Sequence, residues 1–465
     1  MIPALRQAFN AKWSAGKYGA FLQALDARCG THVKFRVCET PCFFPQALIA
    51  ACARAGAEML EQLLGDAAYR RASNVTIPAQ YNVKNEAARP LFAAVDFGLV
   101  RTASGVLEPR LVEIQGFPSL YCFQVALAQQ FVESYGLEDG LGIVAGAQGG
   151  VESGKRRLER ELEEYWAILR RAVLGEHQPE NVVLLEIDPL EQKTLPDFLL
   201  TERQLGVRAV NIRDVEKEGR RLFYVRDGKR VPIERIYNRA IVDELERKQV
   251  ALPFRFTDEL DVEWAGHPNW FFRISKFSIP FLKHAFVPQT WFLDQVERLP
   301  EDLENYVLKP LYSFAGLGVV VGPTRAEVES VPRERRHDYI LQRRMRFEPV
   351  IETPHGATQA EIRVLYIDRV GANATPPQLT GKDNAETHRT QRRAEVDGVT
   401  GAGPTLGANG APRVGHPKGA LGADALANWA LGPLIIRMGR GKMMGVDHNR
   451  DLEWVGASAG LIAAT

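Results

Sequence analysis

Blocks of apolar residues and the polar positions between them divide the chain into elements. Residues 1 to about 75 read as helical: FPQALIAACARAGAEMLEQLLG (44–65) is rich in alanine and leucine and stops at Gly65, a residue type suited to a C-cap. LFAAVDFGLVRTASGVLEPRLVEIQGF (91–117) carries two apolar runs about Ser104-Gly105, which predicts a hairpin. A charged stretch, 155–173, reads as a helix whose signs alternate along a solvated face. ENVVLLEID (180–188) predicts a buried strand, KTLPDFLLTERQLG (193–206) a helix ending at glycine, and VRAVNIRDV (207–215) another strand. This β–α–β order points to an open α/β domain, and RLFYVRDGKRVPIERIYNRAI (221–241) extends it with an Asp227-Gly228 hairpin turn. Further strands and helices follow from about Asn269 to Ile367.

The pattern breaks at residues 370–428, where no aromatic residue occurs between Tyr366 and Trp429 and Gly, Ala, Pro, Arg and Thr dominate. Such composition cannot bury enough apolar surface to offset the entropy of ordering, so the segment is predicted to be mostly disordered or poorly packed. Order is expected to return at PLIIRMGRGKMMGVDHN (433–449).

Candidate chemistry begins in the hairpin. Asp96 and Glu113 are symmetric about Ser104-Gly105, so a simple register sets the two carboxylates opposite each other. Like charges across a strand pair repel, unless a cation lies between them. Alternation puts Leu111, Glu113 and Gln115 on one face and Val112 and Ile114 on the other. Asp96, Glu113 and Gln115 would then offer three oxygen donors to a hard cation such as Mg²⁺. The competing reading is a solvent-facing polar face whose register slips.

In YVLKPLYSFAGLGVVV (306–321), Lys309 closes an apolar run before a turn with Gly316 and Gly318. A glycine-rich turn lets backbone N–H groups approach phosphate, and lysine adds a point charge. WFFRISKFSIPFLKH (270–284) sets Lys276 among apolar residues at the start of a helix. DYILQRRM (338–345) reads as a strand ending at Gln342, whose amide could face an adenine edge, and AEIRVLYI (360–367) as a strand with Glu361 and Arg363 on one face. An arginine so placed could clamp a phosphoryl oxygen.

Taken in this order, VDFG, LVEIQGFPSL, SKFSIPFL, YVLKPLYSFAGLGV, YILQ and EIRVLYI resemble the circularly permuted ATP-grasp family, as in the synthetase part of glutathionylspermidine synthase. The resemblance covers about 80–120 and 178–367 and implies an α/β (α+β) fold: a permuted ATP-grasp, preceded in space by an open α/β substrate domain. It implies the segments 1–75 (helical), 76–150 (metal-binding hairpin), 151–265 (substrate domain), 266–368 (nucleotide-binding part), 369–428 (low complexity) and 429–465 (C-terminal strands). It further implies that Asp96, Glu113 and Gln115 ligate Mg²⁺, that Lys276 and Lys309 contact ATP, and that Gly316 and Gly318 form a phosphate flap. Gln342 would lie near the adenine, Arg363 would act catalytically on the transferring phosphoryl group, and Asn238 and Arg239 would face substrate. The implied activity is an ATP-dependent ligase joining a small-molecule carboxylate to an amine. A nucleotide-binding protein without turnover and an ATP-dependent phosphotransferase are the alternatives. Against the resemblance, Gln115 stands where asparagine is usual, SFAGLG lacks the flap's charged residue, Ala94 lies near the place where these synthases carry an arginine, and no amidase domain like that of the bifunctional enzymes is read.

Composition narrows the partners. The 465 residues carry a formal charge of +1, which argues against nucleic acid or anionic membrane as partner. Five cysteines without paired metal-ligand spacing suggest a reducing, cytoplasmic setting without structural disulfides. No apolar run suffices to span a bilayer. GGVESGKR (149–156) nearly matches a phosphate-binding loop, but Arg156 occupies the position that needs a hydroxyl, so a glycine loop before a charged helix is preferred. Asp447, His448 and Asn449 read as a turn rather than a second metal site, and Cys122 as a buried small residue.

Overall fold

In the computed structural model the described residues are 1–137, 140–145, 155–312, 317–373, 425–441, 444 and 452–463. The expectations for 374–424, for Gly316, for 149–154 and for Asp447, His448 and Asn449 fall outside them. At the edges of the low-complexity stretch, Arg369–Asn373 is helical and Ala425–Asn428 forms a 3₁₀ turn.

A mixed sheet organises the molecule, with strand order Cys42–Pro45, Gly456–Ala463, Ile435–Gly439, Gln359–Asp368, Phe92–Arg101, Leu107–Gln115. The first pair is parallel and the others antiparallel. The segments 1–75, 76–150, 266–368 and 429–465 therefore all supply strands to one sheet. The 1–75 segment is not wholly helical, because Cys42–Pro45 pairs with Gly456–Ala463.

Alternation along these strands gives the sheet two faces. Val95, Phe97, Val364, Tyr366, Ile436 and Met438 pack into one apolar cluster with the helix Gln46–Gly65. Phe92, Ala94, Leu365, Ile367 and Ile435 pack into another with Ala15–Cys29, Phe123–Tyr135 and Lys155–Leu174. Along that second face the apolar row gives way to Asp96, Glu361, Arg363 and Arg437, and the last three line a cavity.

Asp96 and Glu113 are cross-strand partners, as the sequence predicts, but the register shifts beside them. Phe97 pairs with Leu111 and Asp96 with Glu113, so Val112 is an extra residue, a β-bulge. The bulge corrects the expected facing. Leu111 is buried in the core cluster with Ile114, whereas Val112, Glu113 and Gln115 line a cavity.

Three smaller sheets accompany the mixed sheet. Glu263–Ala265, Arg235–Asn238, Val182–Glu186 and Arg208–Asn211 lie parallel in that order, with the helix Leu195–Leu205 connecting the last two and ending at Gly206 in the left-handed region. Asp227-Gly228 joins Arg221–Arg226 to Lys229–Ile233, both turn residues at positive φ as a type I′ turn requires. That hairpin, with Glu216–Glu218, is a sheet of its own rather than an extension of the parallel one, and the third sheet is antiparallel: Thr290–Phe292, Tyr339–Arg343, Tyr306–Pro310, Val320–Val321. The five cysteines are buried and unpaired, and among the described residues no helix is long and apolar enough to cross a membrane.

Candidate functional site

Five segments far apart in sequence meet in one cavity of about 820 Å³. Glu113 and Gln115 enter from the hairpin, Lys276 from the turn after Ser275, Lys309 and Gln342 from neighbouring strands, and Arg363 from the central sheet. A second cavity, of about 410 Å³, adjoins at Glu113, Gln115, Phe117 and Lys276 and is walled by Phe271, Phe272 and Val242.

Local structure fixes each group. Lys276 opens a 3₁₀ turn, Lys276–Phe281, entered through a capping box made by Ser275 and Ser278. That turn lies against the hairpin because the Gly116 N–H donates to the Ile274 carbonyl at 2.9 Å, an approach only glycine allows: a Cβ at 116 would meet the Trp270 carbonyl oxygen at 2.4 Å. Lys309 is buried, and its Nζ donates to the Gln342 Oε1 at 2.6 Å and to the Val112 carbonyl at 3.2 Å. Burial pushes the Lys309 ammonium down to about 8, against the opposing pull of Glu113, Glu361 and Asp96. Gln342 Nε2 donates to Thr290 Oγ1 at 3.2 Å. This amide orients Lys309 while Gln342 also lines the cavity.

Asp96 lies below the cavity wall, 1% exposed. Arg363 Nε donates to its Oδ1 at 2.6 Å and Arg363 Nη2 to its Oδ2 at 2.7 Å, a fork on a carboxylate. Arg437 Nη2 donates both to Asp96 Oδ2 and to Glu361 Oε1. Burial alone would push the Asp96 carboxyl up, but the two guanidinium groups outweigh it and hold it below the usual carboxylate range. Among the described residues, no group of three or more His, Cys, Asp or Glu side chains is arranged to hold a metal ion.

Gly318 sits at φ +72°, where a side chain would be strained, with Pro310 Cγ 2.9 Å from where its Cβ would be. It stands outside the cavity lining, which its neighbour Val319 joins. Asn238 is buried at the end of Arg235–Asn238 and does not line the cavity, whereas the adjacent Arg239 does.

Sequence reasoning missed Arg437 and Glu186. Arg437 interrupts the apolar run Ile435–Met438, the same signal that singled out Arg363. Glu186 ends the buried strand Val182–Glu186, and its acid there was the available sign.

No protein-family model matches the chain, and no curated protein matches it. Among solved structures, the chain is similar to a glutathione synthetase-like effector from Globodera pallida in its apo form. The TM-score is 0.49 and the identity 13%, over 76% of this chain and 88% of that one.

Proposed function

We propose that the protein is an ATP- and Mg²⁺-dependent carboxylate–amine ligase of the circularly permuted ATP-grasp type, acting through an acyl phosphate. The supporting observation is the convergence of Glu113, Gln115, Lys276, Lys309, Gln342 and Arg363 on one cavity of about 820 Å³. A volume of that order suits a nucleotide together with a small acceptor. The amines of Lys276 and Lys309 would neutralise phosphate, and a triphosphate beside Lys309 would supply the counter-charge that burial withholds.

A hard cation fits part of the donor set. The Glu113 carboxylate and the Gln115 carbonyl line the cavity, whereas both Asp96 oxygens already accept from arginine. Glu113 and Gln115 would hold Mg²⁺ together with phosphate oxygens, and Asp96 would join only on loosening its contacts with Arg363 and Arg437. Bound there, the ion would offset charge on the phosphates.

Mechanistically, an oxygen of the substrate carboxylate attacks the γ-phosphorus. The bond to the bridging oxygen breaks and ADP leaves. The amine nitrogen then attacks the acyl carbon, the C–O bond to phosphate breaks, and the amine's proton passes to solvent. The chain's part is positioning and charge stabilisation. Asp96 fixes the plane of the Arg363 guanidinium, so that it meets the transferring group without reorganising.

Glu113→Ala should abolish ATP turnover and leave the fold intact. Titration calorimetry with Mg-ATP and a phosphate-release assay on metabolite pools test the reading, and full activity in Glu113→Ala would remove it. A second reading, nucleotide binding without turnover, is favoured by the occupied Asp96 oxygens; binding with no phosphate release on any pool would select it. A phosphorylated product in place of an amide would select a phosphotransferase.

A further inference from the structure

The parallel sheet reverses direction of growth in the middle. From Val182–Glu186 the chain passes through the helix Leu195–Leu205 to Arg208–Asn211 on one side, then returns to place Arg235–Asn238 on the other. Crevices at such points, at the carboxyl ends of the strands, are where open α/β sheets receive ligands. Glu186 ends one of the two strands and Arg239 follows the other, and both line the large cavity.

Arg239 is 3% exposed, yet its Nε and Nη1 have no hydrogen-bond partner. Its guanidinium lies over the rings of Phe117 and Phe198, at 5.0 and 5.6 Å. The nearby Asp197 is committed elsewhere, its oxygens accepting from the N–H groups of Leu120, Cys122 and Phe123. A buried guanidinium with two idle donors costs stability unless something fills them. Glu186 is 4% exposed, and its Oε1 accepts only from the Ile187 N–H, at 2.8 Å. No ion pair within 4.0 Å joins Glu186 to Arg239, so two opposite charges border one space without closing on each other.

We infer that the crevice between Glu186 and Arg239 is a subsite for the zwitterionic head group of an α-amino acid, Arg239 taking its carboxylate and Glu186 its ammonium. A guanidinium meets a carboxylate in a planar fork, and Arg239 lines the cavity with two donors unfilled. Burial pushes Glu186 up to about 7 even with Arg239 opposing, and a ligand ammonium would bring the missing positive charge. This inference rests on the ligase reading only for what happens to the bound amino acid, as acyl donor or as amine; the binding itself requires no nucleotide.

The test is saturation-transfer difference NMR on the full chain without nucleotide. The probes are the proteinogenic amino acids, their decarboxylated amines and their N-acetyl derivatives. At least one amino acid should bind, with its amine and its N-acetyl derivative at least tenfold weaker. Arg239→Gln should weaken amino-acid binding at least tenfold, and Glu186→Gln should close the gap between the amino acid and its N-acetyl form. Should Arg239→Gln fail to fold, the wild-type ranking and Glu186→Gln decide. Absence of binding by every amino acid, equal binding of the amines, or wild-type behaviour in Glu186→Gln would overturn the subsite. Mg-ATP titration on the same sample separates the two ideas: amino-acid binding without nucleotide binding keeps the subsite and sinks the ligase, and nucleotide binding without amino-acid binding does the opposite.

Discussion

Lys309 donates from Nζ to the carbonyl of Val112 at 3.2 Å, and Val112 is the residue that the hairpin's register leaves over. A lysine on one sheet thus holds the bulge of another, and the bulge sets where Glu113 and Gln115 point. Two effects of Lys309→Met compete. Truncation leaves the Val112 carbonyl and Gln342 Oε1 short of a donor, at about 1–3 kcal/mol. Removing an ammonium that burial lowers from 10.5 to about 8 returns a similar amount, at about 1.4 kcal/mol per pKa unit. Stability should change by less than about 2 kcal/mol in urea denaturation, while Mg-ATP affinity in calorimetry falls by about tenfold or more.

Arg363 and Arg437 both meet Asp96, but unequally. Arg363 forks onto both oxygens, and Arg437 divides one nitrogen between Asp96 and Glu361. Leaving a buried carboxylate without its main partner costs about 3–5 kcal/mol. Arg363→Met should lower the stability measured by urea denaturation by about that much, and Arg437→Met by distinctly less. Equal losses would mean that Asp96 depends on the pair as one unit.

The short turn made the pairing of Asp96 with Glu113 legible, because few residues separate the strands and the centre of symmetry is a good turn. The bulge was not legible. Leu111, Val112 and Ile114 are all apolar, so one extra residue leaves no mark on the pattern while it reverses which side Leu111 takes. The strand Cys42–Pro45 was hidden for another reason. It is four residues long, runs directly into the helix Gln46–Gly65, and is a strand only because Gly456–Ala463 lies beside it. The cation side of the cavity was legible as lysines and an arginine among apolar residues. The engagement of Asp96 by two arginines and of Gln342 by Lys309 depends on three-dimensional neighbours that spacing does not contain.

Glu186 gives a pH signature of stability. Burial raises its carboxyl from 4.5 to about 7, with Glu244 adding and Arg239 and Lys248 opposing. A raised folded-state pKa means that the folded form holds the proton more tightly. Its contribution is complete below about 4.5 and lost as pH rises through about 7. At about 1.4 kcal/mol per unit this amounts to on the order of 3 kcal/mol. Glu186→Gln should remove that loss, so the stability difference between variant and wild type grows from pH 4.5 to 7 and is flat above. Parallel urea-midpoint profiles of the two proteins across this range would exclude the effect.

Gly116→Ala should act on the site from outside it. The added methyl would press the Trp270 carbonyl oxygen from 2.4 Å and the Ile274 Cβ from 3.1 Å. The segment leading to Lys276 must then move away from the hairpin, at about 1–3 kcal/mol of strain. The expected result is a lower thermal midpoint together with weaker Mg-ATP binding. Unchanged nucleotide binding would show that Lys276 does not depend on this contact for its place.

Asp96 emerges from the ribosome 341 residues ahead of Arg437, and 267 ahead of Arg363. Through most of synthesis this carboxylate has neither cation to face and must stay hydrated. The strand Phe92–Arg101 is then barred from the dry interior until its distant neighbours exist, and closure of the middle sheet becomes a late, nearly simultaneous event. Nascent chains halted before residue 359, which lack Arg363 and the strand that carries it, should hold the hairpin open to protease, however well their helices have formed.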